Sequence, residues 1–143
     1  MKILKKTLPH EHPLVATTIV FQGKVFQARK EFEKALEFFK EALEIFNIVM
    51  SMNHPSKAAL NKSIAEIYLE QGFIYYDKAL DAVTKSIDYF HSGNFRLDSP
   101  VAQETIKLRK RIEEKKEDLN KSIIRFYIAL AFIFIIYYYK TSF

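Results

Sequence analysis

The dipeptide His-Pro occurs twice in this chain, at His12-Pro13 and at His54-Pro55, and the second copy begins 42 residues after the first. Each copy opens a stretch with the apolar spacing of a helix pair. A fixed internal period of this size is typical of proteins built by stacking one supersecondary unit on the next. The period therefore predicts a helical repeat protein before any other feature is considered.

The residues after each His-Pro support helices, because apolar side chains recur at three- and four-residue steps, the spacing of one helix face. Proline suits the first position of a helix, where the missing N–H costs nothing, and glycine suits the turn after a helix end. Pro13, Pro55 and Pro100 stand at expected helix starts, and Gly72 follows an expected helix end. Four helices are predicted over residues 14–28, 31–49, 56–71 and 75–90.

The two copies resemble the tetratricopeptide repeat (TPR), in the kinesin-light-chain-like variety whose repeats are longer than the usual length of about 34 residues. In that family a small residue and an aromatic residue on the first helix meet an Ala on the second. The resemblance implies an all-α fold, a short right-handed superhelix of antiparallel helix pairs, followed here by a C-terminal hydrophobic helix. The residues that carry the resemblance are Gly23, Phe26 and Ala35 in the first copy and Ala65 and Tyr68 in the second.

The second copy departs from the first in its hairpin. Ala79 follows Ala65 at a spacing two residues longer than the 12 residues that separate Gly23 from Ala35. The hairpin over residues 72–76 is therefore expected to carry a two-residue insertion.

The resemblance divides the chain into regions of different character. TPR-like repeats are expected over residues 1–98, as a half repeat (1–11), a repeat (12–53) and a repeat (54–98). A charged capping helix or degenerate repeat over 99–121 and a hydrophobic tail over 122–143 follow. Because about three repeats are usually needed for a stable stack, we expect a fragment of a longer array, or a small protein that a partner surface stabilises.

The hydrophobic tail contains 14 consecutive uncharged residues, 126–139, and 17 residues when 123–125 are included. A bilayer-spanning helix needs about 20 apolar residues, with about 17 as the lower limit. The sequence leaves three explanations open. The tail is a membrane anchor through residues 123–139, or a helix docked on the repeat stack, or a non-native translation of AT-rich DNA outside its proper frame.

Composition excludes several classes of function. The chain has no Cys, so disulfides and thiolate chemistry are excluded. The cluster His10-Glu11-His12 supplies at most two imidazoles and one carboxylate, too few for a four-ligand metal site. No glycine-rich phosphate loop and no nucleophile elbow occurs. We therefore expect no catalytic residue, no cofactor and no metal, and we do not expect an enzyme.

The net charge of +5 does not by itself indicate nucleic-acid binding. Residues 107–121 hold seven basic and four acidic side chains, so the charge is mixed, and no base-reading motif accompanies it. The start of the chain does not resemble a secretory signal. We expect a cytoplasmic protein whose partner is another protein and not a nucleic acid, with a membrane as a further possible partner through its tail.

The resemblance implies that the first helices of successive repeats line a concave groove for a peptide or a helix of a partner protein. The family often carries a groove Asn where this chain has Phe21 and Ser63, so the usual hydrogen bonds to a peptide backbone are not expected. An adaptor or scaffold is our first hypothesis. The alternative is a tail-anchored, membrane-associated structural protein that presents the repeats to the cytoplasm. The expected groove residues are Thr17, Val20, Lys24, Gln27, Lys62, Glu66, Leu69 and Glu70.

Overall fold

The computed structural model describes residues 12–51, 54–93 and 95–141, and the expected half repeat over 1–11 lies outside them. In these ranges the chain forms five α-helices and one 3-10 turn, with no strand. The helices pack in chain order, α1 on α2, α2 on α3, α3 on α4 and α4 on α5. The elements are α1 (Pro13–Ala28), α2 (Phe32–Val49), α3 (Pro55–Gln71), the 3-10 turn Phe73–Tyr75, α4 (Tyr76–Ser92) and α5 (Pro100–Thr141).

Each His-Pro dipeptide starts a first helix. The Nδ1 atom of His12 accepts a hydrogen bond from the backbone N–H of Leu14 at 3.1 Å, and Nδ1 of His54 accepts one from Ser56 at 3.2 Å. The proline that follows is the first helical residue. Its missing N–H costs nothing there, because an N–H at this position would have no partner inside the helix. The repeated dipeptide therefore supplies an N-cap and a preset backbone angle at the same point of each repeat.

The first helix pair packs closely because α1 has a glycine at the contact. A Cβ atom on Gly23 would lie 2.5 Å from Cδ1 and Cε1 of Phe39 and 3.3 Å from Cβ of Phe38. The ring of Phe39 is fully buried, as is the neighbouring Ala35. Since protein interiors have few voids, the ring could not move aside for a side chain at position 23.

The second pair repeats this arrangement with alanines. Ala65 on α3 and Ala79 on α4 are both fully buried in the same core as the first pair. The hydroxyl of Ser86 on α4 donates to the carbonyl oxygen of Ala58 on α3 at 2.8 Å, and both residues are buried. This bond joins the two helices near the end of the pair opposite the hairpin.

The predicted hairpin insertion corresponds to the 3-10 turn Phe73–Tyr75. Gly72 precedes it with φ of 101° and ψ of −168°, a backbone conformation that is open essentially to glycine alone. The chain can therefore leave α3 sharply and enter the turn before α4 begins.

The last helix is longer than expected. α5 is continuous over 42 residues, so it covers both the predicted charged segment over 99–121 and the described part of the predicted tail. The hydroxyl oxygen of Ser99 accepts a hydrogen bond from the N–H of Ala102 at 3.4 Å at its start. Its buried residues all lie in its first four turns: Ala102, Thr105, Leu108 and Ile112.

The tail does not dock on the repeats. Every described side chain from residue 120 to residue 141 is exposed. The interpretation of the tail as a helix packed on the stack is therefore wrong, because α5 continues unbroken beyond the last residue that it buries, Ile112. α5 takes the place of the first helix of a third repeat and then leaves the stack.

Replacing Gly23 by Leu tests the close approach of the first helix pair. We expect Gly23→Leu to lower the free energy of unfolding by about 1–3 kcal/mol, because the new side chain meets the buried ring of Phe39. Thermal unfolding monitored by circular dichroism measures the change. Lys24→Ala, at an exposed position of the same helix, is the control and should leave the melting temperature nearly unchanged. Equal effects of the two substitutions would contradict the contact.

Candidate functional site

The first helices of the stack, α1, α3 and the start of α5, line one face of the molecule. Two adjoining depressions lie on this face and share Lys24, Ala59 and Ser63. We call the larger one, about 620 Å³, the charged cleft. Its lining residues are Lys24, Gln27, Ala28, Lys30, Ala59, Lys62, Ser63, Glu66, Glu70, Val101 and Glu104.

The smaller depression, about 200 Å³, lies between the middle of α1, the end of α2 and the first half of α3 and is mostly apolar. We call it the apolar cavity. Its lining residues are Thr17, Val20, Phe21, Lys24, Phe46, Ser56, Ala59, Leu60 and Ser63.

Seven of the eight expected groove residues line these two depressions, and Leu69 does not. Leu69 lies farther along α3, where it lines a separate depression with Leu108, Arg111 and Lys115 of α5. Leu69 lies on the α5 side of α3, partly buried against the core, whereas Glu66 and Glu70 line both the charged cleft and this separate depression.

Lys62 is the electrostatic centre of the charged cleft. Its Nζ atom donates to Oε2 of Glu104 on α5 at 2.7 Å and lies 3.6 Å from Oε1 of Glu66. Partial burial lowers the pKa of Lys62, but the hydrogen bond to Glu104 and the charge of Glu66 outweigh burial, so that the pKa lies above its ordinary value. The same hydrogen bond and the positive charge of Lys62 hold the pKa of Glu104 below its ordinary value. This pair joins α3 to α5 across the cleft.

The remaining charges of the cleft are divided between its two walls. Lys24 and Lys30 belong to the α1 side, and neither makes an ion pair within the described part of the chain. Glu66 and Glu70 belong to the α3 side. The cleft is therefore basic on one wall and acidic on the other, with Lys62 neutralised between them.

Hydroxyl groups at the apolar cavity are already used within their own helices. The Thr17 hydroxyl donates to the carbonyl oxygen of Pro13 at 2.9 Å, and that of Ser63 donates to Ala59 at 3.2 Å. The side chain of Phe21 is 63% exposed at the edge of the cavity. These hydroxyl hydrogens are therefore not free to bind a peptide backbone, and the cavity suits an apolar side chain.

The hairpin between α3 and α4, where the sequence predicts an insertion, carries a second exposed feature. Tyr75 stacks on Tyr68 with 5.9 Å between ring centroids, and Nζ of Lys78 lies 5.3 Å from the Tyr75 ring. The two residues before Tyr75 point outward, with Phe73 61% and Ile74 74% exposed. The two-residue insertion was the sequence signal for this tip.

A metal centre is not found among the residues that the structure describes. These residues contain no group of three His, Asp or Glu side chains placed to hold a metal ion. His10 and Glu11 lie outside the described residues, and Nδ1 of His12 is used as a helix cap.

Comparisons with known proteins identify the fold. No protein-family model matches the sequence, and no curated protein matches it. A crystal structure from Podosopora anserina, described as a kinesin light chain with nearly identical TPR-like repeats, is similar, with 19% identity and a TM-score of 0.62. The match covers 84% of this chain and 56% of that one. A second structure of that description, with a Gln-to-Met substitution, has 18% identity, a TM-score of 0.64 and coverage of 91% and 60%.

This chain thus spans less than two thirds of the length of either structure. At this level of identity the likeness establishes the fold. The protein has the kinesin-light-chain-like TPR fold that the family resemblance implies, with a long apolar helix at its C-terminal end.

The ion pair between Lys62 and Glu104 predicts a specific pH dependence of stability. A carboxyl group whose pKa falls on folding stabilises the fold above its ordinary pKa of 4.5 and loses this contribution as the pH falls through the lowered value. The raised pKa of Lys62 means that its charge stabilises the fold at every pH below the ordinary pKa of 10.5, and this contribution is lost only as the pH rises through the raised value. We expect Glu104→Gln to lower the melting temperature between about pH 6 and pH 9, and the difference from the unmodified protein to vanish in acid.

Glu113→Gln is the control for this measurement, because Glu113 pairs with Arg109 one turn away on the same helix and joins no second element. Thermal unfolding is followed by circular dichroism at each pH. A Glu104→Gln effect that persists unchanged at pH 3, or that Glu113→Gln reproduces, would show that the pair does not join α3 to α5.

Proposed function

We propose that this protein is a non-enzymatic protein-interaction module, an adaptor or scaffold in the cytoplasm, whose concave face binds a segment of a partner protein. The observation that carries the proposal is the apolar cavity directly beside a cleft with one basic and one acidic wall. Such a surface offers an anchor point for an apolar side chain and fixes the orientation of the chain around it.

The two depressions define the chemistry of the bound segment. An aliphatic or aromatic side chain fills the apolar cavity and contacts Phe21 and Val20. Acidic residues of the segment lie toward Lys24 and Lys30, and basic residues lie toward Glu66 and the α3 wall. One wall is basic and the other is acidic, so the bound segment prefers one direction. In the reverse direction its acidic residues would face the acidic wall, which is unfavourable.

The hydroxyl groups of the face argue for binding and against catalysis. A nucleophile requires a neighbouring base within hydrogen-bond distance, whereas Thr17 and Ser63 donate to carbonyl oxygens of their own helices. The lysines and glutamates of the cleft neutralise one another or face solvent. These features suit recognition of a segment by charge and shape.

Selection of peptides from a displayed random library against the whole chain tests this proposal. We expect selected peptides to share an apolar residue flanked by opposite charges, and to lose about tenfold in affinity for a Lys24→Glu variant, equivalent to about 1.4 kcal/mol. Lys40→Glu is the matched control, since Lys40 is exposed on α2 outside both depressions. Peptides that bind both variants equally would place the binding surface elsewhere.

A second candidate function, attachment to a membrane, is supported by the exposed half of α5. An 18-residue window of this helix has a mean hydropathy of 1.8, and none of the window is buried. Core helices of soluble proteins pass the same length and composition test, but they are mostly buried. The apolar half of α5 is instead surrounded by solvent in the isolated chain, so a bilayer would cover it.

The flanks of this segment indicate its orientation. Four basic residues, Lys115, Lys116, Lys121 and Arg125, lie on the side of the repeats, against Lys140 on the far side. Basic residues favour the cytoplasmic side of a membrane, so the repeats would face the cytoplasm. Residues 123–139 span about 25 Å as a helix, near the lower limit for the hydrocarbon core of about 30 Å. Tyrosines at 137–139 suit the far interface.

Membrane attachment is tested by synthesis of the protein in a cell-free system with phosphatidylcholine vesicles, followed by flotation. We expect the full-length chain to float and a chain ending at Lys121 to remain soluble with an unchanged melting temperature, because the tail makes no buried contact. Ala131→Arg should abolish flotation, since a charge at the centre of a spanning helix costs about 2.5–3.5 kcal/mol.

Asn120→Arg is the matched control, because it adds the same charge outside the apolar segment and should float like the unmodified chain. If the full-length chain stays in the soluble fraction, the anchor is wrong and the concave face remains as the functional surface.

A further inference from the structure

The α3–α4 hairpin and the apolar half of α5 lie at the same end of the stack. Lys62 on α3 pairs with Glu104 in the second turn of α5, so these two helices start near each other. Lys116, farther along α5, pairs with Asp77 in the first turn of α4. α5 therefore passes the hairpin end of the second repeat before it leaves the stack.

The distances along the helix axis place the hairpin tip near the start of the apolar segment. From Lys116 to Ile123 the helix rises about 10 Å. Phe73 and Ile74 precede Asp77 by four and three residues and belong to a 3-10 turn, which rises about 2 Å per residue. The side chains of the tip add further length, so they reach approximately the level at which the apolar segment begins.

The side chains of the tip are typical of a membrane interface. Ile74 is the most exposed large apolar side chain of the residues that the structure describes, and Phe73 is exposed beside it. Behind them Lys78 covers the rings of Tyr75 and Tyr68. Aromatic rings and lysines with long apolar stems are the side chains that lie at the boundary between headgroups and hydrocarbon.

The neighbouring hairpin adds positive charge at the same end. α1 runs parallel to α3, so its C-terminal end and the following residues Arg29 and Lys30 lie at this end too, and both side chains are exposed. Basic side chains at this height are complementary to anionic lipid headgroups. The end of the stack that faces the tail therefore combines an apolar tip with exposed cations, with the exposed acidic residues Glu33 and Glu70 at the same end.

We infer that Phe73 and Ile74, at the tip of the α3–α4 hairpin, enter the headgroup layer of an anionic bilayer beside the point at which α5 enters it. This inference rests on the membrane attachment proposed above and adds a second point of contact to it. Two contacts on one stack fix its orientation on the membrane surface. The helix axes then lie close to the membrane normal, and the concave face is directed parallel to the membrane plane.

A single tryptophan at the tip tests the inference, because the chain contains no Trp of its own. We use the full-length chain with Phe73→Trp, bound to vesicles of phosphatidylcholine and phosphatidylserine, some with lipids brominated near the headgroup end of their acyl chains. We expect the emission of this Trp to shift to shorter wavelength and to be quenched by the brominated lipids by at least twofold.

Ile48→Trp is the matched control. Ile48 is 63% exposed, nearly the same as Phe73 at 61%, but it lies at the end of α2, at the opposite end of the stack. Its emission should not change with vesicles. Circular dichroism confirms that both variants keep their helical content.

The two proposals fail in different ways. If the full-length chain floats with the vesicles but Trp at position 73 behaves like Trp at position 48, the hairpin contact is wrong and the anchor stands. If the full-length chain does not float, the anchor is wrong and the inference falls with it.

Discussion

The rest of the stack depends on the close approach of α1 and α2 at Gly23. The ring of Phe39 occupies the space in which any side chain at position 23 would lie, so the two helices meet at a backbone distance that other residues do not permit. The second pair uses Ala65 and Ala79 for the same purpose. When the helices of both pairs pack closely, α3 packs on α2, and the first helices α1 and α3 lie side by side on one face. The charged cleft and the apolar cavity exist because of this spacing.

α5 joins two environments that differ completely. Its first four turns bury Ala102, Thr105 and Leu108 against the second repeat, as the first helix of a third repeat would. Its last five turns present apolar side chains on all faces. Because one unbroken helix carries both parts, whatever covers the apolar half also determines where the concave face points. The proposed interaction and the proposed anchor are therefore coupled through the backbone of a single element.

The features that depend on residues close together in the sequence, such as helices and turns, were predicted from the sequence alone. The positions of four helices, the turn at Gly72 and the prolines at the helix starts follow from spacing. The family resemblance implied eight groove positions, and seven of these line the two depressions. The capping role of His12 and His54 was not predicted, because the usual cap residues are Ser, Thr, Asp and Asn, and a neutral imidazole serves here instead.

The tertiary environment accounts for the rest. Leu69 lines the depression beside Leu108 of α5 and not the cleft, and the position of α5 cannot be read from a pattern within α3. The composition of the tail suits a membrane anchor, a docked helix or a non-native translation, and only the exposure of its side chains in α5 excludes the docked helix. Whether Phe73 and Ile74 point outward depends likewise on how the inserted turn leaves Gly72. Which side chains of a helix are buried depends on neighbouring helices that lie far away in the sequence.

The most direct test of this account is the distance between two points of α5 on either side of its change of environment. Since the chain has no Cys, spin labels can be attached to Arg109→Cys and Phe134→Cys, and their separation measured by double electron–electron resonance in the presence of vesicles. A continuous helix predicts a narrow distribution with the Cα atoms about 38 Å apart. A broad distribution, or a much shorter mean distance, would show that the helix breaks between the stack and the apolar segment, and the coupling between the two would be lost.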